Sequence, residues 1–267
     1  MPVNTSIQDQ CSILIPSCDA YSDLWDPFFQ VFRKFWPDCP FPVYLGCNRL
    51  RPSYPGVQAV PAEDGRIWSN QVKIQIAAVP TPYVLIMLED FFLRRPVHTA
   101  SLLACAQEWL TLRPHCLRLV RRPGPNTRLP GQSRFGVINP DAPYRVSTQG
   151  AIWNKDTLLA LLHAGESIWE FELNGTRRSR EFTDGFYGTW RDELPYDHHV
   201  VERGKWFRKE VRWCRKMGVA CDTQRRPMMN RRETLGWKLG KARSLAADCV
   251  PYSARRVLRA WMGKAPI

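Results

Sequence analysis

The most constraining feature of the sequence is an apolar run that passes directly into a pair of acids. Residues Tyr83–Leu88 are almost wholly apolar, and Glu89, Asp90 and the apolar residues Phe91–Leu93 follow. A short run of this kind predicts a β-strand covered by protein on both faces, as in the sheets of α/β proteins. Acids that end such a strand are costly to bury without partners, so they indicate a ligand site.

Strands and helices are predicted to alternate along the first 120 residues. Apolar runs indicate strands at Ser12–Pro16, Pro42–Gly46, Val57–Val60, Tyr83–Leu88 and Cys116–Val120. Helical spacing of apolar residues indicates helices at Asp23–Trp36, Trp68–Val79 and Thr99–Leu112. This order predicts an α/β fold with a mixed, mostly parallel sheet flanked by helices. Residues 121–145 predict an irregular loop, residues 146–153 a return to the sheet, and Thr157–Ala164 a helix.

The positive charge of the chain is concentrated in its last quarter. Residues 201–267 contain 18 Lys or Arg and 5 Asp or Glu, whereas residues 1–200 contain 20 basic and 20 acidic residues. The whole net charge of +13 therefore belongs to the last quarter. We predict a balanced domain over residues 1–200 and a basic helical extension over residues 201–267.

The cysteines and the absence of a long apolar segment indicate the cellular compartment. The nine cysteines are scattered and odd in number, and no two have CxxC spacing, which favours reduced thiols over a zinc site or a disulfide framework. No apolar run approaches the roughly 20 residues that span a bilayer. The first ten residues also lack the pattern of a secretory signal, so we expect a cytoplasmic location.

Two predicted strands end in acidic residues. Ser17 and Asp19 follow the first strand, and Glu89 and Asp90 follow the apolar strand. Ligands of open α/β sheets bind beyond the carboxyl ends of the strands. A hard divalent cation shared with a diphosphate would stabilise an acidic pair there. The alternative is that Glu89 and Asp90 pair with Arg94 or Arg95, or cap a turn.

Two further segments combine groups that could bind a substrate. Residues 165–172 alternate carboxylates with apolar and aromatic residues, which suits the faces of a sugar and a general base of raised pKa. The alternative is a helix start, where acids are favoured by the helix dipole. Residues Asp64–Asn70 form a polar turn before a helix, whose N-terminus could receive a phosphate or could be an ordinary solvated cap.

The order of these features resembles the GT-A class of glycosyltransferases over roughly residues 10–190. The resemblance is carried by Ser17-Cys18-Asp19, by the turn at Asp64–Asn70 and by the Leu-Glu-Asp-Phe-Phe-Leu segment Leu88–Leu93. Residues Gln149–Trp153 and Trp169–Glu172 resemble the acceptor half of the bacterial members that build surface polysaccharide or lipopolysaccharide. The resemblance implies a nucleotide-sugar half at residues 1–120 and an acceptor half at residues 121–200.

Carried over residue by residue, the resemblance implies four roles. Asp19 would contact the nucleoside, and donor binding would also involve Ser17, Asp64, Trp68, Ser69 and Glu89. Asp90 would occupy the position of the Asp-x-Asp motif that holds Mn²⁺ or Mg²⁺, although the pattern here is Glu-Asp-Phe. Trp153 and Trp169 would line the acceptor pocket. Glu172 or Glu170 would be the base of an inverting transfer.

The basic extension leaves three interpretations open. In Arg203–Met217, Trp206 and Trp213 stand among basic residues, which suits an anionic membrane surface presenting a lipid-linked acceptor. An ordinary helix packed on the catalytic domain and a nucleic-acid-binding surface are the alternatives.

The leading hypothesis for the whole chain is a glycosyltransferase that uses a nucleotide-sugar donor and a glycan or glycolipid acceptor. A nucleic-acid-binding protein and a nucleotidyltransferase of similar architecture are the alternatives, and the acidic loop after the first strand disfavours the latter.

Overall fold

The computed structural model describes residues 6–62, 67–197 and 199–248, with side chains described as far as residue 240. The chain divides into two compact units, one ending at His199 and one beginning at Val200. No helix in the described ranges is both long enough and apolar enough to cross a membrane.

The first unit contains nine strands and six α-helices among its described residues. The strands are β1 (Cys11–Ile15), β2 (Val43–Cys47), β3 (Val57–Pro61), β4 (Tyr83–Ile86), β5 (Cys116–Arg118), β6 (Thr127–Arg128), β7 (Phe135–Val137), β8 (Ala151–Asn154) and β9 (Phe186–Thr189). The helices are α1 (Ile7–Gln10), α2 (Ser22–Phe35), α3 (Trp68–Ala78), α4 (Thr99–Leu110), α5 (Lys155–Leu161) and α6 (Ile168–Arg178). Two short 3-10 turns lie at Asp19–Tyr21 and Ser179–Glu181.

All nine strands form one mixed sheet in the order β3-β2-β1-β4-β8-β5-β9-β7-β6. Strands β1 to β4 are parallel, β8 is antiparallel to both of its neighbours, and β5 is parallel to β9. Strand β7 runs antiparallel to β9 and β6, so only β7 and β8 oppose the common direction. The predicted α/β fold with a mostly parallel sheet is therefore confirmed.

The chain changes direction across the sheet on either side of β1. It leaves β1 for β2 and β3 on one side and then returns to form β4 on the other side. Leu14 in β1 lies opposite Tyr44 in β2 and Ile86 in β4, so the carboxyl ends of β1 and β4 reach one edge of the sheet. Such a switch point is where open α/β sheets bind their ligands.

Burial explains why these segments became strands and helices. Every residue of β1 and β2 is buried, as expected for central strands covered by helices on both faces. Helix α2 buries Leu24, Phe28 and Phe32 at a spacing of four residues, which places them on one face of the helix. The pattern of apolar residues therefore specified both these central strands and the covering helix.

The region predicted to be an irregular loop, residues 121–145, contributes two strands. Strand β7 extends the sheet beyond β9, and Phe135 at its start is fully buried. Gly136 pairs with Gly188, and a Cβ atom at position 136 would lie 2.5 Å from Cζ2 of Trp190. The loop prediction was wrong here because the composition of Pro, Gly and Arg obscured a pairing with a distant strand.

The second unit begins with a hairpin. Strands β10 (Val201–Glu202) and β11 (Lys205–Trp206) are antiparallel, and α7 (Arg208–Lys216) and α8 (Arg231–Asp248) follow. Helix α7 starts later than the predicted Arg203 because Arg203 and Gly204 have φ values of 49° and 74° and form the turn of the hairpin. Residues 249–267 of the predicted basic helical extension lie outside the described residues.

Candidate active site

A hydrogen bond joins the ends of β1 and β4 across the switch point. Ser17 Oγ donates to Glu89 Oε1 at 3.0 Å, and Trp25 Nε1 donates to the same Ser17 oxygen at 2.8 Å. All three side chains are buried. Trp25 comes from α2, so the helix that follows β1 fixes the hydroxyl that bonds to the carboxylate. Glu89 is therefore held towards Ser17 at the carboxyl edge.

Asp90 lies at the rim of the same edge and is half-buried. The next residue, Phe91, stacks on Tyr196 with ring centroids 4.8 Å apart and planes 9° from parallel. Burial, and to a smaller degree the negative charge of Asp90, raises the pKa of Tyr196, so its hydroxyl stays protonated. Arg94, considered from the sequence as a partner of these acids, forms an ion pair with Asp197 at 3.4 Å.

Glu172 reaches the edge from α6 through the segment that leads into β8. Its Oε1 accepts the backbone N–H of Thr148 at 2.7 Å and the hydroxyl of Thr148 at 2.9 Å. Within the described part of the chain, its Oε2 accepts no hydrogen bond. Ala151, three residues after Thr148, pairs with the last residue of β4 and the last residue of β5. Glu172 therefore lies beyond the same strand ends as the residues that follow β4.

A buried cation supports this side of the edge. Burial lowers the pKa of Arg118, while the thiol of Cys116 and the carboxylate of Glu172 act in the opposite direction. The Arg118 guanidinium donates to the carbonyl oxygens of Pro123 (2.6 Å), Tyr144 (2.7 Å) and Arg145 (2.9 Å). It thus fixes the loops after β5 and before β8 and adds positive potential beneath Glu172.

The structure brings four of the predicted site residues to one edge: Ser17, Glu89, Asp90 and Glu172. We call these four residues the edge site. Ser17 follows β1, Glu89 and Asp90 follow β4, and Glu172 comes from α6, so three of the four residues are carboxylates. An arrangement of this kind can bind a polar ligand and take up a proton from it.

Asp19 has a structural role that the resemblance did not imply. Its carboxylate accepts the backbone N–H groups of Asn48 (2.8 Å), Arg49 (2.9 Å) and Leu50 (3.0 Å). Burial alone would raise the pKa of Asp19, but these three N–H groups hold it below its ordinary value. Both oxygens thus order the loop after β2, and the expected nucleoside contact of Asp19 stays a prediction.

The start of α3 is covered by protein, which contradicts the predicted phosphate site at Ser69. Ser69 is fully buried, its N–H donates to the carbonyl oxygen of Glu166 at 3.1 Å, and its Oγ accepts the Glu166 N–H at 2.9 Å. Trp68 packs against Phe171 with ring centroids 5.3 Å apart. Both residues therefore join α3 to α6. Asp64, predicted with them, lies outside the described residues.

The two tryptophans predicted to line the acceptor pocket differ in exposure. Trp153 in β8 is 2% exposed and packs edge-on against Phe186, so it belongs to the core and cannot face a sugar. The apolar sequence around it was therefore a core strand and not a binding surface. Trp169, in the first turn of α6, is 73% exposed and lies one helical turn before Glu172.

Glu170 forms the capping box of α6 together with the N-cap residue Ser167. Its Oε2 accepts the Ser167 N–H at 2.8 Å and the Ser167 hydroxyl at 2.7 Å, while Ser167 Oγ accepts the Glu170 N–H. The Ser167 N–H, followed by its hydroxyl, lowers the pKa of Glu170, which is the opposite of what a general base requires. The prediction of Glu170 as the base is corrected, and the alternative of a helix start holds for this residue.

The described residues do not form a complete metal site by themselves. No group of three His, Cys, Asp or Glu side chains in the described ranges could hold a metal ion. Asp90 could supply one carboxylate next to the oxygens of a bound diphosphate, which is how Mg²⁺ is often held. The cation expected from the resemblance would therefore depend on the substrate for most of its ligands.

Thr148 and Tyr196 belong to the geometry of the edge but gave no signal in the sequence. Thr148 is 24 residues from Glu172, and Tyr196 is 46 residues from the Gly150 N–H that its hydroxyl accepts. Neither residue belongs to an acidic or aromatic cluster in the sequence. Only the pairing of β8 with β4 and β5 brings them to the site.

Comparison with known proteins adds a likeness in fold. The sequence matches no protein-family model and no curated protein. Among solved structures, the chain is similar to residues 1–349 of S. aureus TarS, with 14% identity, 70% of this chain and 59% of that chain covered, and a TM-score of 0.46. It is also similar to the glycosyltransferase GlyE of Streptococcus pneumoniae TIGR4, with 9% identity, 67% and 44% coverage, and a TM-score of 0.39.

A nucleotidyltransferase is similar as well. The 2-C-methyl-D-erythritol 4-phosphate cytidylyltransferase of Thermus thermophilus has 17% identity, 60% and 82% coverage, and a TM-score of 0.36. The chain spans about three fifths of the TarS fragment. A glycosyltransferase and a cytidylyltransferase are thus both among the structures found. At TM-scores below 0.5 the likeness assigns no reaction, so function has to be argued from the edge site.

Proposed function

We propose that the chain is a glycosyltransferase that moves a sugar from a nucleotide-diphosphate donor to a hydroxyl group of a glycan or glycolipid. The observation that carries the proposal is the edge site, where Glu89 and Asp90 follow β4 at the switch point and Glu172 faces the same edge. Nucleotides bind α/β sheets at such switch points. Glycosyl transfer to a hydroxyl also needs a base beside the donor.

In the proposed reaction Glu172 is the base. Its Oε1 is held by Thr148, which leaves Oε2 to take the proton of the acceptor hydroxyl. The acceptor oxygen forms a bond to the anomeric carbon, and the bond from that carbon to the diphosphate breaks. The nucleoside diphosphate leaves with the electron pair of the broken bond. Attack from the face opposite the leaving group inverts the anomeric carbon.

Trp169 is proposed to bind the acceptor sugar. Residues three apart on a helix share a face, so Trp169 and Glu172 both lie on one side of α6. An exposed indole offers a flat apolar surface to the C–H face of a sugar ring. The 73% exposure of Trp169 leaves that surface accessible.

Neither alternative function gains an observation from the structure. A nucleotidyltransferase needs a basic, Gly-rich loop after the first strand, whereas here that loop carries Asp19, which orders the loop after β2. Binding of single-stranded nucleic acid combines basic side chains with exposed aromatic rings on which the bases stack. In the second unit Trp206 is fully buried, and Trp237 donates to Glu202 at 3.1 Å.

Nucleotide binding is the first test of the proposal. Thermal shifts would be measured with UDP, GDP, CMP and dTDP, with and without manganese, followed by turnover of the matching nucleotide sugars. We expect stabilisation by one nucleotide class and release of its diphosphate. No shift with any nucleotide would count against a nucleotide-sugar enzyme, and equal shifts with and without manganese would remove the cation from the proposal.

The role of Asp90 is tested with a matched pair of variants. Asp90→Asn should lower turnover at least tenfold, because the carboxylate is proposed to share a divalent cation with the donor diphosphate. Asp184→Asn is the control, since Asp184 lies just before β9, at the opposite edge of the sheet, and pairs with the exposed Arg113. Wild-type turnover by Asp90→Asn would remove Asp90 from the site.

We also propose that the second unit contacts an anionic membrane that presents the lipid-linked acceptor. In the predicted surface, helix Arg203–Met217, Trp206 is fully buried and Trp213 is half-buried, and Val211 and Cys214 are buried too. Helix α8 instead exposes Leu235 (59%) and Leu239 (53%), one turn apart. Exposed basic residues flank them: Arg231, Arg232 and Lys238. Exposed leucines among cations suit the interface of an anionic bilayer.

Vesicle co-sedimentation tests the membrane contact. The full chain should bind phosphatidylglycerol vesicles and not phosphatidylcholine vesicles, and Leu235→Ser with Leu239→Ser should weaken binding about tenfold or more. Leu50→Ser is the control, since Leu50 is an exposed leucine of the first unit. Binding to a labelled oligonucleotide at low salt, without vesicle binding, would favour the nucleic-acid alternative.

A further inference from the structure

The segment before His199 is tied to the ends of three strands. Leu194 N–H donates to the carbonyl oxygen of Leu119, just after β5, at 3.2 Å. Arg94 N–H donates to the carbonyl oxygen of Pro195 at 2.8 Å, and Leu93 forms a bridge with Tyr196. Residues 194–196 therefore contact the chain that leaves β4 and the chain that leaves β5.

Tyr196 extends this connection to the entrance of β8. Its hydroxyl oxygen accepts the Gly150 N–H at 2.7 Å and donates to Gln149 Oε1 at 3.1 Å. Its ring stacks on Phe91 at 4.8 Å. One side chain thus touches the residue after Asp90 and the two residues after Thr148.

Position 150 is occupied by a residue that allows this contact. A Cβ atom at Gly150 would lie 2.8 Å from Leu194 Cδ1 and 3.3 Å from both Cε1 and the hydroxyl oxygen of Tyr196. Any larger residue would displace Leu194 or the phenol from the β8 entrance. The glycine is therefore needed for close approach.

We infer that Tyr196 is a positioning residue that fixes Glu172 relative to Glu89 and Asp90. The inference rests on the proposed function. Gly150 and Gln149, held by the phenol, are continuous with Thr148, and both hydrogen bonds to Glu172 Oε1 come from Thr148. The stack on Phe91 gives the same phenol a fixed relation to the residues that follow β4. Tyr196 itself does not touch the reacting atoms.

The test compares Tyr196→Phe with Tyr187→Phe. Tyr187 lies in β9 and is buried, and its hydroxyl has no hydrogen-bond partner within the described part of the chain. Tyr196→Phe keeps the stack on Phe91 and removes the two hydrogen bonds. We expect its kcat to fall about tenfold with KM for the donor within twofold, because small misplacements of a base slow the chemical step more than they weaken binding.

Hydrogen exchange gives a readout that does not need turnover. In Tyr196→Phe the Gly150 amide loses its acceptor, so we expect it to exchange at least tenfold faster than in Tyr187→Phe. Thr148→Val, which removes one donor to Glu172, should lower kcat in the same direction as Tyr196→Phe. Circular dichroism and the melting temperature show whether each variant folds.

The outcomes separate this inference from the proposed function. An unchanged Gly150 exchange rate, or a wild-type kcat in Tyr196→Phe, overturns the positioning role. A rise in KM with unchanged kcat overturns it too, because it shows loss of donor binding only. If the wild-type chain turns over no donor, the proposed function fails, while the exchange rate still decides whether Tyr196 holds the β8 entrance.

Discussion

At the scale of single residues, Glu170 and Glu172 show how the helical period separates neighbours of the same type. Residues two apart on a helix point about 200° apart, since each residue turns the helix by about 100°. Glu170 therefore turns back to cap the N-terminus of α6, whereas Glu172 reaches Thr148 at the edge of the sheet. Chemical type alone could not distinguish the two carboxylates.

Replacing these two acids should give opposite results. Glu172→Gln should lower kcat by at least about 100-fold, because a general base contributes on the order of 10² to 10⁴ in rate. Glu170→Gln should keep turnover within about twofold and lower the melting temperature, since it weakens the cap of α6. Initial rates and thermal melts of both variants check this. Equal losses of kcat would contradict the assignment of Glu172.

At the scale of elements, α6 is anchored by a partly buried ion pair. Arg178 Nη2 lies 2.7 Å from Glu166 Oε2, and both side chains are largely shielded from solvent. Arg178 also donates to the carbonyl oxygen of Leu161 at the end of α5, at 3.0 Å through Nε. Glu166 in turn contacts Ser69 of α3. This pair therefore holds three helices together behind Glu172.

The ion pair predicts a pH dependence of stability. The hydrogen bond from Arg178, with smaller help from Asn174, lowers the pKa of Glu166 below its ordinary value of 4.5. A depressed pKa gives stability that is present above about pH 4.5 and is lost as the pH falls through the folded-state value. Urea unfolding at pH 7 should show Glu166→Gln less stable by on the order of 2 kcal/mol. The difference in the free energy of unfolding between the two proteins should shrink at pH 4 and below. A difference that stays constant with pH would contradict the role of the ion pair.

The contact between β2 and α3 depends on the absence of a side chain at position 46. A Cβ atom at Gly46 would lie 2.4 Å from the amide group of Gln75, which is buried and donates to the Ser17 carbonyl oxygen at 3.1 Å. Gly46→Ala should therefore destabilise the chain by roughly 1–3 kcal/mol through overpacking. Gly236→Ala is the control, because a Cβ atom there meets open space on α8. Urea unfolding of both variants measures the difference, and equal stabilities would contradict it.

At the scale of the whole molecule, charge and architecture change near the same place. The sheet and its helices lie in the unit that ends at His199, and the hairpin with α7 and α8 belongs to the unit that begins at Val200. All of the net charge of +13 comes from residues after 200. We therefore propose a catalytic domain without net charge and a separate basic unit that holds the chain at an anionic membrane.

Truncation separates these two roles. A chain ending at residue 199 should keep nucleotide binding and donor turnover within about threefold, since all four residues of the edge site lie in the first unit. It should lose binding to anionic vesicles, because the basic residues and the exposed leucines are removed. Thermal shift, initial rates and co-sedimentation measure the three properties. A truncated chain that folds but binds no nucleotide would contradict the division.

The sequence by itself determined the parallel strands of the sheet, because the apolar runs at β1, β2 and β4 can only be buried, and it placed acids at the ends of β1 and β4. It also located the basic charge after residue 200. The local sequence pattern suffices for these features. An apolar run predicts a buried strand, and ligands of open α/β sheets bind beyond the carboxyl ends of the strands.

Only the tertiary structure decided which polar residues face that edge. Asp19, Ser69 and Glu170 had the chemical type expected at the edge, but each forms hydrogen bonds with backbone groups. The partners of Asp19 and Ser69 are distant in sequence, and the partner of Glu170 lies three residues before it. Trp153 is a core residue because β8 inserts between β4 and β5. Thr148 and Tyr196 entered the site through contacts 24 and 46 residues apart. Hydrogen-bond partners at such separations are set by strand pairing, which the identity of a single residue does not encode.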